Sequence, residues 1–204
     1  MDEVDRMPVA GTVVLLRPAD RGFDVLVMRR PDRGSFAGAW VFPGGRVEDV
    51  DREPGSAEVD DARRAGIRET CEEVGLEIAE PVVLSRWQPP PEAPVRIRTW
   101  FFLAEAPSGD VRTSPAEVVD AVWISPAEAL AAHGSGEWTL YPPTWVTLHR
   151  LSRYDSAAAA LASAGVAEEF STRVVRSPSG AAFEWGPLRL EAGSLPWRLV
   201  EDGD

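Results

Sequence analysis

The chain has 204 residues, a net charge of −12 and a hydrophobic content of 44%, which suit one domain with a real core and room for an appendage. The acidic balance argues against a nucleic acid polymer as partner, because its phosphates need a basic protein surface, although a metal ion can hold a small phosphorylated ligand. No apolar run approaches the ~18 residues of a membrane span, the first residues are unlike a secretory signal, and the single cysteine fits a reducing compartment, so we expect a cytoplasmic protein.

The first part of the chain is predicted to form a hairpin followed by a glycine-rich turn. Residues 8–17 and 23–30 are rich in β-forming residues, and the turn-like segment between them makes an antiparallel pair the simplest arrangement. Residues 31–38 read as a loop, and residues 39–42 as a short strand that runs into the glycine pair at 44–45.

The middle of the chain is predicted to hold one long helix and then strands. Residues 49–60 are polar and rich in Pro, Gly and Asp, which indicates a surface loop. Asp60 or Asp61 is the expected N-cap of a helix that runs to about Val74, where Gly75 supplies the stop. Strands are expected at 82–87, 97–104 and 118–124.

The remainder is predicted to hold short helices and a final group of strands. Ser125 and Pro126 open a short helix, a second helix covers 145–154, and strands at 170–176 and 181–190 flank a turn at 177–180. The order of strands, one central helix and more strands suits an α/β/α sandwich with a mixed sheet. We expect one domain over 1–154 and a C-terminal extension over 155–204 that packs on it.

The long helix carries three carboxylates at positions i, i+3 and i+4, which share one helix face: Glu69, Glu72 and Glu73. Three apolar residues fall on the opposite side, so we expect them, Cys71 included, to form the buried back of the helix: Ile67, Cys71 and Val74. The acidic front is then exposed. Three stacked like charges cost free energy unless a cation lies among them, and a divalent metal with oxygen ligands is the simplest cation.

The residues around this helix resemble the Nudix box, G-x5-E-x7-R-E-U-x-E-E-x-G-U, in which U is apolar. The second half, from Arg68 to Leu76, matches in register, with Thr70 at a position that is usually aliphatic, and Phe-Pro-Gly-Gly precedes it at 42–45. Counting back seven residues from Arg68 reaches Asp60 at the position of the box acid. Fourteen residues rather than five separate Gly45 from Asp60, which indicates an insertion of nine residues within 47–59.

This resemblance implies a Nudix-type α/β/α sandwich that hydrolyses the phosphoanhydride of a nucleoside diphosphate linked to another group. It implies that Mg²⁺ or Mn²⁺ is bound by the three helix carboxylates together with a backbone carbonyl: Glu69, Glu72, Glu73 and Gly44. It further implies that Arg68 pairs with Asp60 and thereby braces the loop, which is a structural role.

The general base is left open between Glu69 and Glu117, with Asp120 as a third candidate; for Glu117 the alternative is a solvated loop acid. Four arginines are candidates for phosphate contacts, although each is more simply an ordinary surface residue: Arg29, Arg33, Arg96 and Arg98. Trp87 and Trp100 could stack on a base or, more simply, pack in the core.

A finer resemblance joins residues 25–31 and 38–45 to the lead-in of the coenzyme A diphosphatases, whose pattern ends G-x3-F-P-G-G. The arginine that usually stands four residues before that glycine is absent, since Gly34 occupies its place. We therefore expect a coenzyme A or acyl-coenzyme A diphosphatase. The alternatives are an ADP-ribose or dinucleotide pyrophosphatase and a non-catalytic nucleotide-sensing domain. The expected partner is a small nucleotide-containing molecule, and a homodimer is left open.

Overall fold

The computed structural model describes residues 7–34, 36–177 and 180–201. Its elements in chain order are β1 (Val9–Pro18), β2 (Phe23–Arg29), β3 (Trp40–Val41), β4 (Gly44–Arg46), a 3-10 helix (Asp49–Asp51), α1 (Glu58–Val74), β5 (Val82–Gln88), β6 (Arg98–Glu105), β7 (Asp120–Ile124), α2 (Pro126–Gly134), α3 (Pro142–Leu151), α4 (Ala157–Ala162), β8 (Glu168–Ser171), β9 (Arg173–Ser177), β10 (Gly180–Trp185), β11 (Leu188–Glu191) and β12 (Arg198–Glu201).

The central sheet has the strand order β3-β2-β1-β6-β5-β8, with β4 beside β1 and β7 beside β2. Two of its pairs, β1 with β6 and β5 with β8, are parallel, and the other pairs are antiparallel. One face of the sheet packs against α1, and the other face forms a core with α2, α3 and α4. The predicted α/β fold with a mixed sheet is therefore confirmed.

Strands β1 and β2 separate along their length, and the glycine turn fills the gap between them. They pair only at one end, from Leu16 opposite Val25 onward. Further along, β1 pairs with β4, which places Thr12 opposite Gly44, whereas β2 pairs with β3. The Val13 N–H also donates to the Pro43 carbonyl at 2.9 Å. The turn at 42–45 is thus fixed in the gap between β1 and β2, beside the last turns of α1.

Of the three residues predicted for the buried face of helix α1, only Val74 is fully buried, while Ile67 is half-buried and Cys71 is exposed. The buried stripe of the helix recurs at helical spacing and contains several small residues: Ala62, Ala65, Gly66, Thr70, Glu73 and Val74. Small side chains let the helix approach the sheet closely, so the stripe runs through Glu73 rather than through Cys71. Cys71 is exposed, and the expectation of a buried cysteine is wrong.

The helix also begins earlier than predicted. Ala57 is the N-cap and makes no side-chain capping bond, so neither Asp60 nor Asp61 serves as the cap. Asp61 is instead buried, where its carboxylate accepts from the Ser56 hydroxyl and from Arg64. At the other end Gly75 supplies the stop as predicted, with φ 70° and its N–H bonded to the Cys71 carbonyl at 3.0 Å.

The segment after residue 155 adds strand β8 to the central sheet and forms a second sheet of order β12-β11-β10-β9. Trp185 and Leu190 from the second sheet join the same buried cluster as Trp145 and Leu148 of α3. The extension thus shares the main core, while the boundary at 154/155 stays a prediction. Residues 178 and 179 of the predicted turn lie outside the described residues. Within the described ranges, no helix is both long and apolar enough to cross a membrane.

Candidate active site

Glu73 lies at the centre of the acidic end of α1 and is only 1% exposed. Its Oε1 accepts from Arg30 Nη1 at 2.7 Å, and its Oε2 accepts from the Gly44 N–H at 2.9 Å. Burial is the main cause that raises the pKa of Glu73 to about 7. The charges of Glu69 and Glu117 act in the same direction, while the Gly44 N–H and the charge of Arg30 oppose the rise. This acid therefore connects the helix to the glycine turn and to the end of β2.

Glu69 sits one turn earlier on the same face and is packed against the glycine turn. A Cβ atom at Gly45 would lie 2.2 Å from the Glu69 carboxyl carbon, so only glycine leaves room for this carboxylate. Burial raises the pKa of Glu69, the bond from Arg68 opposes that rise, and the charges of Glu72 and Glu117 add to it. The prediction that this acidic face is fully exposed is wrong for Glu69 and Glu73, and only Glu72 is largely exposed.

Arg68 pairs with Asp51 and not with Asp60. Arg68 Nε and Nη2 reach the two carboxylate oxygens of the buried Asp51 at 3.0 and 2.9 Å, which is a bidentate pair. Asp60 pairs instead with Arg63. Asp60 and Arg68 are eight positions apart on one helix, about 12 Å along its axis, so they are too far apart to meet.

The same guanidinium also lies between two of the helix carboxylates. Arg68 Nη1 donates to Glu69 at 2.9 Å and to Glu72 at 3.1 Å. These contacts supply a positive charge where the sequence predicted a cation. The bond to Asp51 is the main cause that raises the pKa of Arg68, and the bond to Glu69 adds to it. The arginine is thus both a brace and a neutralising group in the metal-free site.

Glu117 lies on an exposed segment that crosses the end of α1. The Ser114 N–H donates to the Glu73 carbonyl at 2.9 Å, and the Glu117 N–H donates to the Ser114 carbonyl at 3.0 Å. Its charge raises the pKa of both Glu69 and Glu73, so it belongs to the same acidic group. Asp120 begins β7 opposite Arg29, and its carboxylate accepts from the Ala121 N–H at 2.8 Å.

The four predicted phosphate-binding arginines do not lie together. Arg29 is near Asp32 at 3.4 Å, and Arg33 donates to the Ala116 carbonyl at 3.3 Å beside Glu117. Arg96 is half-buried on the segment before β6, and Arg98 is buried and holds Glu58 at the first turn of α1.

Arg98 does not face the acidic group. Its pairing partner Glu58 lies fifteen residues before Glu73 on α1, about 22 Å along the helix axis.

Trp87 and Trp100 are both buried in the core, so neither is open to stacking by a nucleobase, as the simpler alternative predicted. Trp87 stacks on Phe170 at 4.0 Å between ring centroids.

Sequence reasoning missed two residues of the site, Arg30 and Asp51. Arg30 directly follows β2, and only the tertiary contact with Glu73 distinguishes it from its neighbour Arg29. Asp51 carried a readable signal, because five residues separate it from Gly45, which is the spacing of the motif's first half.

The oxygen-rich donor set suits a hard divalent cation, although the side chains are not arranged around one. Among the described residues, no three Asp, Glu, His or Cys side chains converge closely enough to hold a metal ion. The reason is visible in the contacts, since Arg68 occupies the space between Glu69 and Glu72 while Arg30 holds Glu73. The crowded carboxylates with raised pKa values are nonetheless the ligands that a divalent cation would stabilise in their charged form.

The chain matches the family model described as "NUDIX domain" over residues 6–143, which is more than half of its length, and it belongs to that family. No curated protein matches it. Three solved structures are similar: a NUDIX hydrolase from Alicyclobacillus acidocaldarius (23% identity, 76% of this chain and 96% of the other, TM-score 0.69), a MutT NUDIX hydrolase from Burkholderia pseudomallei (21%, 71% and 97%, 0.52), and the NUDIX domain of Shewanella oneidensis NrtR in complex with ADP ribose (18%, 75% and 92%, 0.56).

These structures share the fold with this chain, and family membership supports the chemistry. The prediction of a Nudix hydrolase is confirmed, and with it the expectation of a substrate linked to a nucleoside diphosphate. Members of the family generally use divalent metal ions.

Proposed function

We propose that this protein hydrolyses the phosphoanhydride of coenzyme A or an acyl-coenzyme A, with Mg²⁺ or Mn²⁺ as cofactor. The observation that carries the hydrolytic part is the acidic group formed by Glu69, Glu73 and Glu117 beside the glycine turn, where burial and nearby negative charge raise the pKa of Glu69 and Glu73. A buried carboxylate group with this charge is costly in an apo protein and is suited to holding cations and activating water.

Glu69, Glu72, Glu73 and the carbonyl of Gly44 are the proposed ligands. A divalent ion bound there neutralises the phosphates and lowers the pKa of a bound water. Arg68 would keep its two bonds to Asp51 if Glu69 and Glu72 became ligands of a divalent cation. Glu69 and Glu117 remain the candidates for the base that takes the water proton. Both belong to the acidic group, Glu69 on α1 and Glu117 on the segment before β7.

The Arg68–Asp51 pair supports a revised alignment of the box. With Asp51 as the box acid, the spacing from Gly45 is the motif's five residues, and 16 residues rather than seven separate Asp51 from Arg68. The nine additional residues then lie after the acid, in the loop at 52–57 and the early turns of α1. On this proposal the insertion leaves the glycine turn and its acid intact and lengthens only the approach to the helix.

Coenzyme A is favoured by the lead-in at 25–31 and 38–45, which resembles the coenzyme A diphosphatases. Arg29 and Arg33 lie on or next to this lead-in and remain candidates for phosphate contacts. ADP-ribose or a dinucleotide is the alternative substrate, and one solved relative of similar fold carries ADP ribose. A non-catalytic sensor is disfavoured because the chain keeps all three helix carboxylates. A cytoplasmic location, a division at 154/155 and a homodimer stand as further proposals.

The test is a substrate panel. Folded protein is incubated with Mg²⁺ or Mn²⁺ and, separately, coenzyme A, acetyl-coenzyme A, ADP-ribose, NADH and nucleoside triphosphates, and mass spectrometry identifies the cleaved bond. Release of 3′,5′-ADP and phosphopantetheine is expected. Cleavage of ADP-ribose and of no other compound would favour the alternative substrate over coenzyme A. Tight binding without cleavage of any compound by metal-loaded protein contradicts the enzymatic proposal and supports a sensor.

A further inference from the structure

A cleft of about 530 Å³ opens beside the end of β2, between the loop at 31–38 and the segment 137–139. Its walls include Arg29, Asp32, Trp40, Glu137 and Trp138. None of the helix carboxylates lines it, so it is a separate space from the acidic group. Its volume is in the range of ligand sites in proteins.

One wall of the cleft is a preformed aromatic stack. The rings of Trp40 and Trp138 lie 4.0 Å apart between centroids and 13° from parallel. Trp40 is buried while Trp138 is half-buried. The backbone N–H of Trp40 donates to the Thr139 carbonyl at 3.0 Å, which holds the two segments together. An indole held in this way can receive a planar ring with little loss of side-chain entropy.

The polar side chains of the cleft are mainly acceptors. Asp32 and Glu137 are carboxylates, and Arg29 is the one cationic side chain among the lining residues of the described chain. The Asp32 carboxylate lies against Gly38, where a Cβ atom would come within 2.7 Å of its Oδ1. Because the negative charges outnumber the positive charge, the cleft disfavours a phosphate and favours an uncharged group with N–H donors.

The cleft lies close to the acidic group despite being separate from it. Arg29 lines the cleft and the next residue, Arg30, bonds to Glu73, so the two sites occupy the two faces of one strand end. The loop between them is also anchored near Glu117, through the bond from Arg33 to the Ala116 carbonyl. A molecule whose diphosphate is held at the acidic group could therefore place an attached ring in the cleft.

From these observations we infer that the cleft binds the nucleobase of the substrate and selects a base with an exocyclic amine. The base stacks on Trp138, and the amine donates to Asp32 or Glu137. This inference rests on the proposed function, since it concerns the part of the same substrate that is remote from the cleaved bond. It assigns specificity to residues that the Nudix box does not contain.

The test compares three diphosphates: ADP-ribose, its deaminated counterpart with hypoxanthine, and a diphosphate with ribose on both sides and no base. Trp138→Leu is expected to raise KM for ADP-ribose about tenfold or more with little change in kcat, and to leave the base-free compound unaffected. Glu137→Gln together with Asp32→Asn is expected to remove the preference for adenine over hypoxanthine. Trp123→Leu, which alters a half-buried tryptophan of β7 outside the cleft, is the matched control.

Equal KM effects of Trp138→Leu on all three compounds, or no effect, would overturn the inference while leaving the hydrolase proposal intact. If no compound is cleaved, the base site is tested by ligand binding instead of by kinetics. Calorimetric titration of ADP and IDP with Mg²⁺ into wild type and Trp138→Leu then measures the base site directly. Tighter binding of ADP that is lost in the variant supports the base site although the hydrolase proposal has failed, and equal binding by both proteins overturns it.

Discussion

The two ends of α1 hold acidic groups in opposite electrostatic states. Near its first half, Asp51 and Asp61 are buried, but bonds from Arg68, Arg64 and other donors outweigh the effect of burial and lower the pKa of both acids. Near its last turn, burial prevails and raises the pKa of Glu69 and Glu73. The same type of side chain is stabilised as an anion at one end, where hydrogen bonds prevail, and destabilised at the other, where burial prevails.

The difference separates structural acids from candidate catalytic acids. A carboxylate whose hydrogen bonds outweigh the cost of its burial is stabilised in the charged form, as Asp51 and Asp61 are. A carboxylate crowded by other carboxylates is destabilised as an anion by their repulsion, and a bound metal ion can offset that repulsion. Arg68 connects the two groups, because it bonds to Asp51 with two nitrogens and to Glu69 and Glu72 with the third.

Removing the charge at the structural end should have the largest effect. Asp51→Asn leaves the guanidinium of Arg68 without its buried counter-ion, and the expected loss of unfolding free energy is about 3–5 kcal/mol. Asp60→Asn is the matched control, since its pair with Arg63 is partly exposed, and its expected cost is about 1 kcal/mol or less. Urea denaturation measures both. Equal losses of unfolding free energy in the two variants would favour the predicted bracing role of Asp60.

Removing a charge at the functional end should affect turnover and not folding. Glu69→Gln keeps an acceptor for Arg68 but loses a proposed metal ligand, so kcat should fall about hundredfold or more while the unfolding free energy stays within about 1 kcal/mol. Steady-state kinetics and Mn²⁺ titration check this result. Glu77→Gln, an exposed acid just beyond the helix, serves as the control and should leave both quantities unchanged. Near-full activity of the Glu69 variant would remove Glu69 from the site.

The two acidic groups should respond to pH with opposite signs. Glu73 has a higher pKa folded, about 7, than unfolded, 4.5, so the native state binds more protons and stability falls as pH rises through this interval. The lowered pKa of Asp51 has the reverse consequence: its contribution is lost as pH falls below 3.8.

Chemical denaturation of metal-free wild type and Glu73→Gln between pH 4.5 and 7.5 tests the first effect. The variant should gain stability relative to wild type across this range, by at most about 3 kcal/mol at about 1.4 kcal/mol per unit. Parallel curves for the two proteins would show that Glu73 is not destabilised as an anion.

The smallest effect is expected at Cys71, on the solvent side of the same helix. Cys71→Ser should change the unfolding free energy by about 0.5 kcal/mol or less, and the thiol should react with an aromatic disulfide reagent in the folded protein. Thr70→Ala, at the neighbouring buried position, should cost about 1 kcal/mol or more, because its hydroxyl donates to the Gly66 carbonyl at 2.7 Å. A thiol that reacts only after unfolding would indicate that Cys71 is buried, as the sequence predicted.

Local signals predicted most of the elements, while the orientation of α1 depended on packing. The strands predicted before residue 125, the Ser125 cap and the Gly75 stop follow from short-range propensity and are present in the structure. The predicted strands at 170–176 and 181–190 are each divided, into β8 and β9 and into β10 and β11. The helix face was misjudged because the hydrophobic pattern gave weight to Cys71 and Ile67 and none to Ala62, Ala65 and Gly66. Small residues carry little hydrophobic signal, yet they decide how closely a helix can approach a sheet.

By itself, the sequence determined the family of this protein, its class of chemistry and the three carboxylates that share a helix face. These follow from residue types at fixed spacing on one helix, where local geometry alone sets which side chains meet. Only the tertiary structure decided that Arg68 is held by Asp51, that Arg30 reaches Glu73, and that a cleft with two tryptophans lies behind the same strand end. Those contacts join segments that are distant in sequence, and burial, which sets the charge state of each acid, exists only once the segments have packed.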